Sequence, residues 1–422
     1  MIESCFGMTA SPSPPAPSGL SFPKQRQRPQ MVCAGYAFLA AVLALLWQAS
    51  TVHFNYRGNW TALFCTGDRQ NVPPQLAANT YLFILSQGYD GQFYRYVAHD
   101  PLLRKGLRQF IDAPSLRYRR ILVPGLAFLM AGGQSQFIDA AYLAVILLFV
   151  FLGSYWLSRY AAFHGRHPAW GIGFIFVPAT LISINRLTVD VALVALCAGF
   201  AWYAKKGSPA RLCLVLALAP LVRETGLLLV AAAGLDALWN RRFRQAVLFA
   251  AMSLPALLWT GYVLAHSAAP APAAVALYVV PRWAFHFHAI GIVSKLLVPE
   301  QYQYGPALDR MIQAVDALAL VGVLLALGLV IWSLRRWRFN QETWAALLFA
   351  GLTVAIGDPH FWEDVNGYAR PVSPLLLLVG LPVFSGAPLW VLAPIVLVDL
   401  RIGVLLGSQV YGVLRGIFLG SS

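Results

Sequence analysis

The residue types best suited to chemistry in this sequence are charged side chains placed beside long apolar runs. Asp90 lies in the motif GYDGQFYRYVAHDP, directly after the apolar run YLFILS. A carboxylate at the edge of a bilayer can meet both a lipid-borne reactant and water, which makes Asp90 a candidate site residue. The alternative is an Asp-Gly turn, with Tyr94 and its neighbours acting as interfacial aromatic residues.

Three arginines follow in the motif RYRRILVP, at Arg117, Arg119 and Arg120. They run directly into an apolar stretch that is too short to cross a bilayer. A planar guanidinium binds phosphate or pyrophosphate through two parallel hydrogen bonds, so a bound anion is one explanation of the cluster. Snorkelling onto the phosphates of surrounding lipids is the other.

A second charged pair, Arg223-Glu224, separates the apolar segments LCLVLALAPLV and GLLLVAAAGL. Ionisable residues at that depth are costly and indicate a functional site, although the two side chains can also neutralise each other in a purely structural role. Asn185, Arg186 and Asp190, at the turn NRLTVD, are expected on the same face. They either line the same cavity or form a short polar turn that caps the following helix.

The late motif DPHFWEDVNGYARP combines acidic, aromatic and amide groups. Carboxylates such as Glu363 and Asp364 beside aromatic faces suit a sugar, whereas Tyr368 and Arg370 suit a lipid phosphate. A solvated loop with an aromatic belt is the alternative.

These motifs are carried by a chain of 422 residues that is 59% hydrophobic and only 11% charged. Soluble domains contain about 25% charged residues, so the composition excludes an ordinary soluble enzyme. Because a crossing needs about 20 apolar residues, we predict an all-α polytopic membrane protein of about 10–11 spans over residues 31 to 422. Residues 1 to 30 are predicted to be a disordered cytoplasmic tail.

The predicted spans follow the apolar runs of the sequence. They are 31–52, 136–158, 169–184, 190–204, 211–222, 226–239, 245–265, 311–334, 342–357, 371–387 and 388–406.

Basic clusters between the runs predict the orientation of the chain. The net charge of +14 is concentrated in short clusters such as RYAAFHGRH, KKGSPAR and RRFR, which indicates cytoplasmic loops rather than nucleic-acid binding. These clusters share one side only if residues 211 to 239 form two half-spans that meet at RETG. A single tilted helix is the alternative. The extracytoplasmic side then receives a large first loop over 53 to 135 and a late loop over 357 to 370.

The order of motifs resembles that of bacterial multi-pass proteins related to the GT-C glycosyltransferases. The motifs are YDGQFY with a following HDP, RYRRILVPGLAFL, NRLTVD, LVRETGLLLV and GYARPVSPLLLL. Within that group the chain is similar to the branch of GPI-type mannosyltransferases and predicted cell-surface glycopolymer proteins. The resemblance covers residues 31 to 385 and is most specific at DGQFY and RETG.

The resemblance implies an inverting enzyme of the bacterial plasma membrane that takes a sugar from a polyprenyl-phosphate carrier. The acceptor would be a glycan, lipid or protein on the extracytoplasmic side. It implies that Asp90 is the base, although the family commonly places this acid in a Trp-Asp or Asp-Asp pair. Arg120, with Arg223 or Arg370, is expected to hold the departing phosphate, and Glu224 to orient Arg223.

Arg117 is expected to support the phosphate-binding arginines. The lipid-linked sugar is itself the substrate, so no cofactor is expected. No metal is expected either, because His286 and His288 in AFHFHAI lack a third ligand in the sequence. Two other classes remain open: a transporter or flippase of a lipid-linked or anionic solute, and a non-catalytic scaffold of an envelope assembly.

Overall fold

The structure, a computed structural model, describes residues 28 to 267, 290 to 335 and 339 to 419. The predicted tail, up to residue 27, and the histidines His286 and His288 lie outside the described residues.

Helices account for most of the described chain. Its first part contains α1 (Arg28–Asn55), α2 (Pro74–Ala77), α3 (Asp90–His99), α4 (Pro114–Arg119), α5 (Leu122–Met130), α6 (Ser135–Phe163), α7 (Pro178–Arg186), α8 (Asp190–Lys206), α9 (Pro209–Val222) and α10 (Leu227–Trp239). The later part contains α11 (Phe243–Ala251), α12 (Leu254–Ser267), α13 (Ile290–Leu297), α14 (Pro306–Leu334), α15 (Gln341–Ala355), α16 (Val365–Gly380), α17 (Ala393–Leu405) and α18 (Gly407–Leu419).

Strand structure in the described chain is limited to one short parallel pair in the first large loop. The strands β1 (Thr66–Gly67) and β2 (Leu82–Phe83) pair Thr66 with Leu82 and Gly67 with Phe83. This pair holds the chain just before Asp90 against the segment that follows α1.

Among the described residues, five helices are long and apolar enough to cross a membrane, or up to seven if each of two bent helix pairs is one span. The all-α multi-pass architecture is therefore supported, with fewer spans than the ten to eleven predicted. The number of spans is lower because four of the predicted spans form helices that are too short. These helices are α8, α9, α10 and α15, with 17, 14, 13 and 15 residues. A straight crossing needs about 20.

Proline begins the second half of one bent pair. The 3-10 helix Pro168–Phe176 meets α7 at 62°, and Pro178 is the first residue of α7. Proline has no backbone N–H and fits the first turn of a helix, so the chain restarts there at a new angle. The other bent pair, Leu389–Leu405 with α18, also turns by 62°.

The helices α8 and α16 lie at the centre of the bundle. Residues Asp190 to Trp202 of α8 are all buried, and 89% of the apolar window in the segment Val365–Ser385 is buried. Helices that are apolar on every side are expected at the core of a large bundle. Helix α8 begins with Asp190, and α16 carries Asn366 and Arg370 in its first two turns, so both helices bring polar side chains into the interior.

The predicted cytoplasmic clusters gather at the opposite end of α8 from Asp190. The Arg159 guanidinium lies 5.0 Å from the centre of the Trp202 ring, and that of Arg211 lies 5.9 Å from the Tyr203 ring. The hydroxyl of Tyr160 donates to Glu342 at 3.1 Å, which brings the start of α15 to the same end. The clusters RYAAFHGRH and KKGSPAR therefore share one end of the bundle, as the sequence predicts.

Candidate functional site

Asp90 begins a helix instead of forming a turn. It is the first residue of α3, and Tyr89 before it is extended, with φ −144°. Backbone N–H groups at a helix start favour a negative charge, which suits Asp90. Gly91 packs so closely that a Cβ there would lie 2.3 Å from the carbonyl oxygen of Arg186. Asp90 therefore begins a helix, and Gly91 makes a close backbone contact. The alternative prediction of an Asp-Gly turn is wrong.

Two arginines from distant parts of the chain bind the Asp90 carboxylate. Arg117 donates to Oδ1 at 2.8 Å, and Arg370 donates to Oδ2 at 2.5 Å. Burial would raise the pKa of Asp90, but the charges of Arg370 and Arg117 outweigh it and hold that pKa well below its ordinary value. Asp90 is therefore ionised near neutral pH, and it is a weak base as long as both arginines stay on it.

The RYRR motif supplies two guanidinium groups to the same site. Arg117 also makes a bidentate pair with Asp112, at 2.9 and 2.7 Å. Arg120 donates to the Tyr94 hydroxyl at 2.9 Å and lies 3.1 Å from Glu224. Tyr94 belongs to α3 and is fully buried, so it links this motif to the helix that Asp90 begins.

The RETG segment breaks the apolar run at the predicted place. Helix α9 ends at Val222, and α10 begins at Leu227 after a short 3-10 turn. The expected partnership inside the motif is wrong, however. Glu224 pairs with Arg120, whereas Arg223 donates to Asp190 at the buried start of α8. The backbone of Arg223 is extended, with φ −161° and ψ 147°, so the neighbouring side chains point in different directions and reach different partners.

Arg370 ties the site together from the first turns of α16. Its Nη1 binds Asp90 and also lies 3.4 Å from Asp190, while its Nε donates to the carbonyl of Asn366 at 2.7 Å. Asp190 thus receives Arg223 and Arg370. Motifs separated by up to 280 positions in the chain meet in one buried charge cluster.

The other predicted residues of the late loop lie beside this cluster. Glu363 pairs with His360 at 2.9 Å and with Lys295 at 3.5 Å. Asp364 accepts from the backbone of Asn366 at 3.0 Å and so caps α16. Tyr368 is buried against Trp362, with ring centres 5.4 Å apart. These three side chains belong to the supporting structure around Arg370.

Two residues of the cluster, Tyr89 and Asp112, were not among the candidates that the sequence predicted. Arg186 was predicted only as a candidate lining residue beside Asp190. The Tyr89 ring lies 4.8 Å from the guanidinium of Arg186 and 4.8 Å from that of Arg370. Tyr89 directly precedes Asp90 and Arg186 directly precedes the left-handed Leu187, so their positions were visible in the motifs, but their contacts were not.

The cluster has more positive than negative groups. Counted over its ion pairs, it contains four carboxylates and five arginines, an excess of one positive charge: Asp90, Asp112, Asp190 and Glu224, against Arg117, Arg119, Arg120, Arg223 and Arg370. Arg186 joins the cluster through the Tyr89 ring, which the charge of Asp364 also reaches. Each carboxylate is bound to at least one arginine, so a metal ion would have to displace a guanidinium.

Some buried polar atoms of the cluster have no hydrogen-bond partner in the described structure. They are Tyr89 OH, Tyr142 OH, Arg186 Nε, Arg223 Nε and Glu224 Oε1. Buried polar groups are almost always paired, so unpaired ones call for an explanation, and a ligand is one. The excess charge and the free donors together suit an anionic, hydroxyl-bearing ligand.

Comparison with protein-family models, with curated proteins and with solved structures found no match to this chain. What is established is a multi-pass helical protein that encloses a buried, arginine-rich site around Asp90.

Proposed function

We propose that this protein is a membrane glycosyltransferase. It moves a sugar from a polyprenyl-phosphate carrier to a glycan, lipid or protein acceptor on the extracytoplasmic side of the bacterial plasma membrane, with inversion. The observation that carries the proposal is the meeting of Asp90 with Arg117 and Arg370 in a cluster that has positive charge in excess.

The chemistry needs one base and a group that neutralises the departing phosphate. The acceptor hydroxyl oxygen forms a bond to the anomeric carbon, and its proton passes to Asp90. The bond from the anomeric carbon to the phosphate oxygen breaks, and the electron pair leaves with the phosphate. Arginine guanidinium groups stabilise the negative charge that develops there. A phosphate is already a good leaving group, so no second acid is required.

The two ion pairs of Asp90 imply that donor binding precedes proton transfer from the acceptor. While Arg117 and Arg370 bind the carboxylate, its low pKa makes it a poor proton acceptor. A donor phosphate competes for the same guanidinium groups, and any arginine that it draws away raises the pKa of Asp90. The donor therefore prepares the base before the acceptor reacts.

Mass analysis of surface glycans and lipid-linked sugars tests this function. Cells that lack the protein should lose one sugar from an envelope glycan and accumulate the corresponding carrier-linked sugar. Restoring the parent chain should reverse both changes, whereas restoring the Asp90→Asn variant should reverse neither. Unchanged glycans and carrier levels would refute the proposal.

A flippase of a lipid-linked or anionic solute is the second candidate. The observation that favours it is the presence of two helix pairs bent by 62°, because broken helices often line transport pathways. A flippase needs a membrane with two sides, whereas a transferase works in detergent. Purified protein that transfers sugar in detergent micelles is an enzyme, and protein that moves lipid-linked sugar across vesicles without transfer is a flippase.

The side on which the site lies can be tested with fused reporters. Reporters after Arg166, Lys206 and Arg242 should report the cytoplasm, and those after Arg104 and Asn366 the outside. An external result at Arg242 would contradict the proposed orientation.

A further inference from the structure

The first large loop exposes a short apolar segment close to the Asp90 site. Ile84 and Leu85 are 73% and 75% exposed, and Leu82 beside them is also exposed. A single apolar side chain on a protein surface needs no explanation, but three within four residues form a patch of the kind that contacts another surface. We call residues 82 to 86 the loop tip. The transfer chemistry does not use these side chains, although they lead directly to Asp90.

The backbone of the loop tip is held in an unusual conformation. Leu85 has φ 56°, in the left-handed region that leucine rarely adopts. The Asp68 carboxylate accepts hydrogen bonds from the N–H groups of Leu85 at 3.0 Å and of Ser86 at 3.1 Å. The carbonyl groups of Phe83 and Ser86 accept from the N–H groups of Asp68 and Arg69, each at 3.1 Å. These bonds hold the loop tip in place while its aliphatic side chains stay exposed.

An aromatic cluster joins the loop tip to the end of α1. The ring of Tyr56, the first residue after α1, has its centre 5.3 Å from that of Tyr81 and 5.6 Å from that of Phe83. The rings of Tyr81 and Phe83 lie 5.1 Å apart. Helix α1 carries the candidate span Gln30–Asn55, and only 22% of its apolar window is buried in the protein. The loop tip therefore lies where the lipid-facing surface of α1 ends.

The residues around this cluster have the composition of a membrane–water interface. Trp60, Arg57 and Arg69 are all exposed. Tryptophan and tyrosine collect at the level of the lipid head groups, and long basic side chains reach the head groups from there. An apolar side chain at this level can enter the bilayer while its neighbours stay at the surface.

We propose that the loop tip inserts Ile84 and Leu85 into the membrane leaflet on the side of the Asp90 site and anchors the first large loop there. A lipid surface fits because the two side chains are aliphatic, adjacent and flanked by interfacial aromatic and basic residues. Backbone N–H groups that enter lipid must be bound within the protein, and Asp68 binds two of them. The inference concerns only the contact with lipid, so it does not depend on sugar transfer.

Short contacts tie the anchor to the Asp90 site. The side chain of Gln92, on α3, donates to the carbonyl of Gln87 at 3.0 Å and accepts from the N–H of Gly67 at 3.3 Å. A Cβ on Gly67 would lie 2.2 Å from the backbone nitrogen of Gly88, so the two stretches of main chain touch. The loop tip and the start of α3 therefore move together, and the anchor sets the depth at which the Asp90 site meets the bilayer.

Spin labels in the full-length protein test the insertion. The protein is reconstituted in vesicles of phosphatidylethanolamine and phosphatidylglycerol. Each label is measured for collision with oxygen, which enters lipid, and with a nickel chelate, which stays in water. The native Cys33, Cys65 and Cys197 are buried, so replacing Cys5 and Cys213 by serine gives a background for single labels.

Labels at Ile84→Cys and Leu85→Cys should favour oxygen over the chelate several-fold more than a label at Gln75→Cys. Gln75 is the matched control, because it is an exposed polar residue of α2 in the same loop. Equal ratios at the three positions would place the loop tip in water and overturn the inference. Shielding with dipolar coupling between labels of two molecules would assign the patch to a second copy of the chain and would also overturn it.

A polar loop tip tests which side chains form the anchor. Asparagine adopts the left-handed region more readily than leucine, so Leu85→Asn keeps the turn and removes the apolar side chain. In the double variant Ile84→Ser/Leu85→Asn, a label at Leu82→Cys should become several-fold more accessible to the chelate. Leu102→Ser, which changes another exposed leucine of the first large loop, should leave that label shielded.

Thermal unfolding in detergent separates loss of lipid contact from loss of fold. The double variant should unfold at a temperature no lower than that of the parent, because asparagine relieves the strain at position 85. A folded double variant whose label at Leu82→Cys stays as shielded as in the parent would show that Ile84 and Leu85 are not the anchor. If the double variant does not fold, the ratios measured at Ile84→Cys and Leu85→Cys in the parent decide the inference alone.

Discussion

Two charge clusters share helix α3, and they differ in how completely their hydrogen bonds are satisfied. In the second cluster Arg95 makes a bidentate pair with Asp139, at 2.9 and 2.7 Å, and its third donor binds Thr80 at 2.7 Å. His99 bridges Asp139 and Ser135, each at 3.2 Å. None of these side chains is among the buried polar groups without a partner.

The cluster at the start of the same helix is unbalanced and incompletely bonded. Asp90 brings together arginines whose charge exceeds that of the local carboxylates, and several buried donors have no partner. A pair whose hydrogen bonds are all made, such as Arg95–Asp139, is sufficient to fix α3 to α6; we call such a cluster closed. Binding a further group requires donors that are still unpaired; we call such a cluster open. The comparison separates a structural from a functional use of the same residue types.

The substitution with the largest expected effect is Asp90→Asn, which should lower activity, unlike the same change at Asp139. Asp90→Asn keeps the size of the side chain but removes its ability to accept a proton near neutral pH. We expect the transfer rate in membranes to fall by about 10²–10⁴-fold, as is typical of a lost general base. Expression level and thermal stability serve as controls. A rate within a few-fold of the parent would remove Asp90 from the mechanism.

The matching change in the closed cluster should act on stability. Asp139→Asn breaks the bidentate pair with Arg95. We expect a loss of about 2–3 kcal/mol in the free energy of unfolding, less than the about 3–5 kcal/mol of a fully buried pair, because the Asp139 carboxylate is 30% exposed. The specific transfer rate of the folded fraction should stay within a few-fold. Thermal unfolding in detergent measures the stability, and the transfer rate per folded molecule measures the activity. A loss of rate as large as that of Asp90→Asn would contradict a purely structural role of Asp139.

Replacement of arginine by lysine sharpens the comparison within the open cluster. Arg120→Lys and Arg223→Lys keep the charge but cannot reproduce a two-pronged contact to phosphate, so we expect kcat/KM for the donor to fall about tenfold or more. Arg119 is the matched control, because it is more exposed and lies 4.0 Å from Glu224. Arg119→Lys should change little. Full activity in Arg120→Lys or Arg223→Lys would exclude a specific phosphate contact by that residue.

The smallest expected effect is a shift in pH dependence. Asp90 acts as a carboxylate, so activity is lost as the pH falls through its pKa, which Arg117 and Arg370 hold low. Arg117→Gln removes one of these charges and should move the acid limb of the kcat/KM profile to higher pH. The residual activity of Asp90→Asn gives the background to subtract. An acid limb that does not move would show that another group governs it.

The helices were largely predictable from the sequence, and the pairing of their charges was not. Apolar runs located α1, α6, α14 and the break at RETG because burial in lipid needs unbroken apolar length. Whether a run crosses completely depends on its neighbours, which is why the short helices α8 and α15 reduced the number of full-length spans.

Partner choice at the site depends on contacts that the order of residues does not contain. Adjacent charges at Arg223 and Glu224 suggested a pair, yet packing directs one to Asp190 and the other to Arg120. Arg370 meets Asp90 across 280 positions. The apolar cavity between α1, α7 and α17 was likewise unpredictable, because an empty space between helices leaves no pattern in any one of them.

Gly91 has a consequence for how such a site can diversify. Because its Cα lies against the carbonyl of Arg186, the spacing between the Asp90 segment and the Arg186 segment is set by main chain touching main chain. Side chains around the two segments can be exchanged without altering that spacing. The backbone spacing between the acid and the cation is therefore independent of the side chains that surround them.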